Sequence, residues 1–151
     1  IKKLISNDID EPSLNHKMSS LNAIFLIKQL KRFKKEMMKR NNIAEYYVKN
    51  IKNVTHINLP NNETNGRYIF TFKTKNRNRL INFLQENNIE SKIYHLPLIS
   101  NIKFYKKYKR DQLLNATKSI RSIISIPCHS KLNMIEVKKV VYYVNKFHEK
   151  N

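Results

Sequence analysis

The sequence predicts an α+β fold, a small sheet of about three strands covered by helices and preceded by a long N-terminal helix. Two patterns carry this prediction. Apolar residues recur at helical spacing in several segments, and between them lie short runs rich in β-branched and aromatic residues. The length, 151 residues with 40% hydrophobic, suits one domain with a modest core.

Ile1 to Pro12 is polar, with Asp8, Asp10 and Glu11, and Pro12 stops any helix before it, so residues 1–12 read as a linker and residues 13–151 as the domain. The non-Met first residue is expected of a chain that begins inside a longer reading frame. From Met18 onward, Leu26, Leu30, Phe33, Met37, Ala44, Val48 and Ile51 step by threes, fours and one seven. That spacing predicts one continuous helical stripe, on a long helix or on two joined end to end. Its Met and Phe residues, Phe33, Met37 and Met38 among them, read as core or dimer packing. Asn53 to Gly66 holds Pro60, the Asn61-Asn62 pair and the only Gly, and reads as a loop.

Arg67 to Lys73 is a strand by composition, its alternation placing Tyr68, Phe70 and Phe72 on one face. Leu80, Phe83 and Leu84 then mark a helix ending at Asn87 and Asn88, which suit a helix C-terminus in place of Gly. Ser91 to Tyr94 reads as a short second strand ended by Pro97. A Lys/Tyr-rich segment, Phe104 to Lys109, leads to a short helix from Asp111 to about Ile120. Ile123 to Pro127 reads as a third strand stopped by proline. Asn133 with Glu136 three residues on approximates a capping box, and Val137, Val140, Val144 and Phe147 form the buried stripe of the final helix.

Thirty Lys+Arg against eleven Asp+Glu give a net charge of +19. A basic excess invites nucleic acid, but 23 of the cations are Lys and only 7 are Arg, the residue favoured for bidentate phosphate and base contacts. The chain also holds 21 Asn and 19 Ile, a bias that A/T-rich coding produces by drift, so nucleic acid is not the expected partner. No apolar run approaches the roughly 18 residues of a membrane span and no signal-peptide pattern is present, so the expected compartment is the cytoplasm. Cys128 is the only cysteine, which leaves no disulfide within the chain. Cys128 and His129 are adjacent, poor geometry for a shared metal, and no metal site is expected.

Three ordered blocks resemble one family. Ser13 to Ala23, followed by Gln29-Leu30 and Arg40 to Tyr47, is similar to the block that opens the C-terminal small domain of the DegT/DnrJ/StrS sugar aminotransferases, pyridoxal-phosphate enzymes of fold type I. Asn88 to Pro97 resembles their "Gly-Ile, short strand, His-Tyr, Pro" element, and Ser125 to Asn133 their turn before the last helix. The resemblance implies transfer of an amino group from glutamate to a keto group of a nucleotide-linked sugar, in cell-surface polysaccharide or amino-sugar synthesis. The cofactor it implies is pyridoxal 5'-phosphate. In the family the Schiff-base Lys sits in a large N-terminal domain that this chain lacks, so no residue is assigned as catalytic and the chain alone is expected to be inactive.

Asn15 aligns with the family Asn that reaches the cofactor phosphate of the neighbouring subunit, which implies a homodimer; a turn or helix-cap role is equally open to it. Lys17 stands where the family has Arg, and Tyr94 and His95 align, in swapped order, with a His-Tyr pair beside the sugar. These three are the candidate substrate-binding residues, against ordinary roles as a solvated Lys and polar loop residues. The sequence departs from the family at Ser13 and Asn88, which replace Gly, at His16, which replaces an aromatic residue, and at Ile99, where many relatives have His. Two other readings stay open: a basic module that binds nucleic acid or another polyanion without catalysis, and an inactive relic.

Overall fold

A computed structural model describes residues 18–57, 66–94, 96–108 and 113–149. The chain divides into two compact units, residues 1–36 and 37–151. A single helix, α1 (Ser20–Asn50), accounts for the described part of the first unit and opens the second. In order follow β1 (Thr55–His56), β2 (Ile69–Lys73), α2 (Arg77–Glu86), two single 3-10 turns, α3 (Leu114–Ser122), β3 (Ile123–Pro127) and α4 (Met134–Glu149).

The three described strands form one antiparallel sheet in the order β1-β2-β3. Phe70 and Phe72 lie opposite Ile126 and Ile124, so four large apolar side chains share one face. That face meets Tyr47 of α1, Leu80 and Leu84 of α2 and Val137, Val140, Val144 and Phe147 of α4 in one core. The other face is mixed, with Ile69, Ile123 and Pro127 beside Thr71, Lys73 and Ser125, and there Thr71 and the buried Ser125 join their hydroxyls at 2.8 Å.

Helix ends are set as their residues dictate. Asn133 Oδ1 accepts from the Glu136 amide at 3.0 Å and Glu136 Oε2 accepts from the Asn133 amide at 2.8 Å, a reciprocal capping box at the start of α4. At the end of α2, Asn88 sits at φ 57°, its amide donates to Gln85 O and the Ile89 amide to Leu84 O. These two bonds make a Schellman motif in which Asn fills the left-handed position that usually falls to Gly. Ile89 and Leu84 are both buried, closing the motif with the expected apolar contact.

Five expectations are corrected. The Ser91 to Tyr94 strand reduces to one bridge, Lys92 to Ser125; on one side the next outward-facing residue of β3 is Pro127, which has no amide hydrogen to extend the ladder. The third strand lies instead in the segment read as a loop, where Thr55 and His56 pair with Lys73 and Phe72. Tyr68 precedes β2 and is 64% exposed, so the buried face holds Phe70 and Phe72 only. On α1 full burial is confined to Ile43, Ala44 and Tyr47, the part of the helix that joins the core; Leu26, Leu30, Phe33, Met38 and Val48 are exposed. The short helix also starts later than expected, at Leu114, with Asp111 outside the described residues.

Candidate functional site

Ser125 exchanges both backbone bonds with Lys92, the Lys92 amide donating to Ser125 O at 3.0 Å and the Ser125 amide to Lys92 O at 2.9 Å. The backbone groups of a strand residue point to one side, so Ser125 and Pro127 turn their carbonyls away from β2 while Ile124 and Ile126 bond Phe72 and Phe70. Pro127, without an amide hydrogen, sits at the last position of that outer edge, where no ladder bond is lost. Its carbonyl accepts from the Tyr47 hydroxyl at 2.9 Å, which ties α1 to the end of β3.

Between the end of β3, the start of β2 and the Glu90 to Tyr94 segment opens a cleft of about 190 Å³. Its chemistry comes from Tyr68, Glu90, Ser91, Lys92, Tyr94 and His129. Tyr94 is 38% exposed. Lys92 Nζ pairs with Glu90 Oε1. The hydrogen bond to Lys92, and then its charge, hold the Glu90 carboxyl below the usual range, and the same pair raises the Lys92 ammonium. The Ser91 hydroxyl is buried with no protein partner. Cys128 is fully covered; burial pushes its thiol up to about 11, and Sγ contacts Arg40 O at 3.5 Å. Among the described residues the cleft therefore offers hydroxyls, one exposed imidazole and one ion pair to a polar ligand, and no ready nucleophile.

Of the four residues singled out from sequence, Tyr94 lies in this cleft, and Asn15, Lys17 and His95 lie outside the described residues. Ser91, Lys92 and His129 were not singled out. The block from Ser125 to Asn133 already pointed to this region, but nothing in it says that His129 and Glu90 are neighbours.

This is a two-layer α+β domain whose open cleft is built from the two later sequence blocks. The family model described as the DegT/DnrJ/EryC1/StrS aminotransferase family matches residues 3–145, and the chain belongs to that family. Over 144 residues it is 31% identical to dTDP-4-amino-4,6-dideoxy-D-glucose transaminase of Escherichia coli, covering 87% of this chain and 38% of the relative. It is 25% identical over 137 residues to dTDP-3-amino-3,6-dideoxy-alpha-D-galactopyranose transaminase of Aneurinibacillus thermoaerophilus, covering 89% and 38%. The chain thus spans less than two fifths of the length of these curated relatives. In fold it is similar to a DegT DnrJ EryC1 StrS aminotransferase from Brucella abortus, with a TM-score of 0.82 at 24% identity, covering 97% of this chain and 41% of that one.

The described residues do not fit pyridoxal phosphate on their own. Lys92, the one lysine lining the cleft, is held protonated by Glu90 and faces solvent, the opposite of an amine poised to form a Schiff base. The single glycine of the chain, Gly66, leaves no glycine-rich cradle for a phosphate.

Proposed function

We propose that this chain is the C-terminal small domain of a pyridoxal-phosphate-dependent sugar aminotransferase, with residues 1–12 as the linker and residues 13–151 as the domain. The observation that carries the reading is the family match over residues 3–145 combined with a span of 38% of the relatives' length. The remaining length is where a large domain with the Schiff-base Lys, the pyridine-nitrogen carboxylate and the phosphate cup belongs. When bound, the cofactor supplies the electron sink for amino transfer.

This chain's share of the work is recognition. The hydroxyls of Tyr94 and Ser91 and the imidazole of His129 form a polar wall suited to sugar hydroxyls, and the exposed Glu90–Lys92 pair flanks Ser91. His95 and Lys17 complete the substrate contacts in this reading, and Asn15 donates to the cofactor phosphate across a homodimer. The substrates are a nucleotide-linked keto-sugar and glutamate, the compartment the cytoplasm. Support for a large covering domain comes from the first turns of α1, where Leu21, Ile24, Phe25, Ile27, Leu30 and Phe33 are all exposed.

The test is cofactor absorbance and glutamate-dependent amino transfer, measured for this chain alone and mixed with the product of the reading frame immediately upstream. Neither signal in the chain alone and both in the mixture are expected, and Asn15→Ala then lowers cofactor retention. A mixture that binds no cofactor would overturn the proposal.

A further inference from the structure

A second cleft lies at the other end of the sheet. β2 and β3 run antiparallel, with Ile69 opposite Pro127 at the Tyr94 cleft and Lys73 opposite Ile123 at the far end. There a space of about 590 Å³ opens beside the β2–α2 connection, the turn before β1 and the end of α4. Lys73, Thr74, Lys75, Asn76, Ser122 and His148 supply much of its polar wall, and no carboxylate among the described residues lines it. Glu149 follows His148 in sequence and is not part of the wall.

The wall holds polar groups that lack partners among the described residues. α2 begins here, ten residues long, and the side chain of its N-cap residue Asn76 makes no capping bond. The amides of its first turn have no acceptor within the helix, and no acidic residue stands in that turn to offset the positive end of the helix dipole. Thr74 is 5% exposed; its amide donates to Ser122 O at 2.9 Å, but its buried Oγ1 has no partner. His148 Nε2, from a different element, is also a buried atom and, like Thr74 Oγ1, has no hydrogen-bond partner among the described residues. Lys73 gives one of its three protons to Ser119 Oγ at 3.2 Å and keeps two, and Lys75 stands next to Thr74. Buried unpartnered polar atoms beside a helix N-terminus with two ammonium groups suit an anion with several oxygen acceptors, the Thr74 hydroxyl donating its proton and His148 donating in the tautomer that carries hydrogen on Nε2.

We propose that this cleft binds a phosphate group, held by Thr74 Oγ1, His148 Nε2 and the Lys73 and Lys75 ammonium groups beside Asn76 at the N-cap of α2. The site is independent of the aminotransferase reading and lies at the opposite end of β2 from Tyr94. Its volume exceeds that of one phosphate, so the group can be free or part of an organic phosphate.

Inorganic phosphate and AMP are titrated separately into the 151-residue chain at constant ionic strength in chloride, with amide and imidazole resonances followed by NMR. Saturable shifts confined to residues 73–79, Ser122 and His148 are expected. Tighter binding of AMP assigns an organic phosphate, and equal binding assigns the free ion. Thr74→Val weakens binding on the order of 5-fold, as does Lys75→Gln, while Thr74→Ser keeps wild-type affinity. Shifts that never saturate, or that spread over lysines elsewhere, overturn the proposal. So does wild-type affinity in Lys75→Gln, a variant at a surface residue that reports even where Thr74→Val disturbs the fold.

Discussion

Removing a single oxygen from Tyr47 tests how α1 is attached to the sheet. The side chain is 0% exposed, its ring meets Phe70 at a centroid distance of 5.2 Å, and its hydroxyl donates to Pro127 O at 2.9 Å. Burial raises the phenol above its ordinary range, so the hydroxyl is a fixed donor at any working pH. Tyr47→Phe keeps the ring packing and deletes only that donor. The Pro127 carbonyl faces away from β2, so the ladder offers it no replacement, and the expected loss is about 1–3 kcal/mol. If residues 37–151, the compact unit that holds Tyr47, unfold together, their unfolding entropy near the midpoint is about 0.24 kcal/mol/K. A loss of about 1.5 kcal/mol therefore lowers Tm by about 6 °C. Thermal melts followed by circular dichroism, with Tyr142→Phe as the exposed control expected to change by less than about 0.5 kcal/mol, provide the measurement. A Tyr47→Phe melt within about 1 °C of wild type would refute the argument that this bond holds α1 to the end of β3.

Three further outcomes are expected. Asn88→Gly gains a few tenths of a kcal/mol and Asn88→Ala loses about 1 kcal/mol, because position 88 is left-handed and Ala tolerates that conformation worst; urea denaturation ranks the three chains, and Ala equal to Asn would contradict the motif. Asn145 donates to Asn50 O at 2.8 Å and accepts from the Lys52 amide at 2.9 Å, so Asn145→Ala leaves two partners at the end of α1 unmatched and lowers stability by about 1–3 kcal/mol in the same assay. The Cys128 thiol, raised by burial from an ordinary value near 9 to about 11, is protonated in the fold beyond the pH at which it ionises in the unfolded chain. Its contribution to stability is full below pH 9 and is lost as pH rises through about 11. Cys128→Ser flattens that alkaline decline, and a decline of unchanged steepness would contradict it.

Features whose determinants lie within a few residues were legible without coordinates. The capping box needs only Asn133 and Glu136, the Schellman turn only the stretch from Leu84 to Ile89, and the β2 and β3 strands only their own β-branched and aromatic residues. Family membership was legible for a related reason, since ordered blocks keep their spacing along the chain. Tyr94 reached the candidate cleft by that route.

The third strand was not legible, because Thr55 and His56 are too few and too polar to form a pattern, and they become a strand only through the open edge of β2 at Phe72 and Lys73. Periodicity on α1 marked an apolar stripe but not which part of it is buried, and that depends on what packs beside Tyr47 and not beside Phe33. The meeting of Glu90 with His129, of Asn145 with Asn50, and of Thr74 with His148 spans 39, 95 and 74 residues. Local propensity carries no term for such pairs. They exist because closing the sheet and burying its apolar face bring those segments together, and the polar groups stranded at its two ends make the clefts.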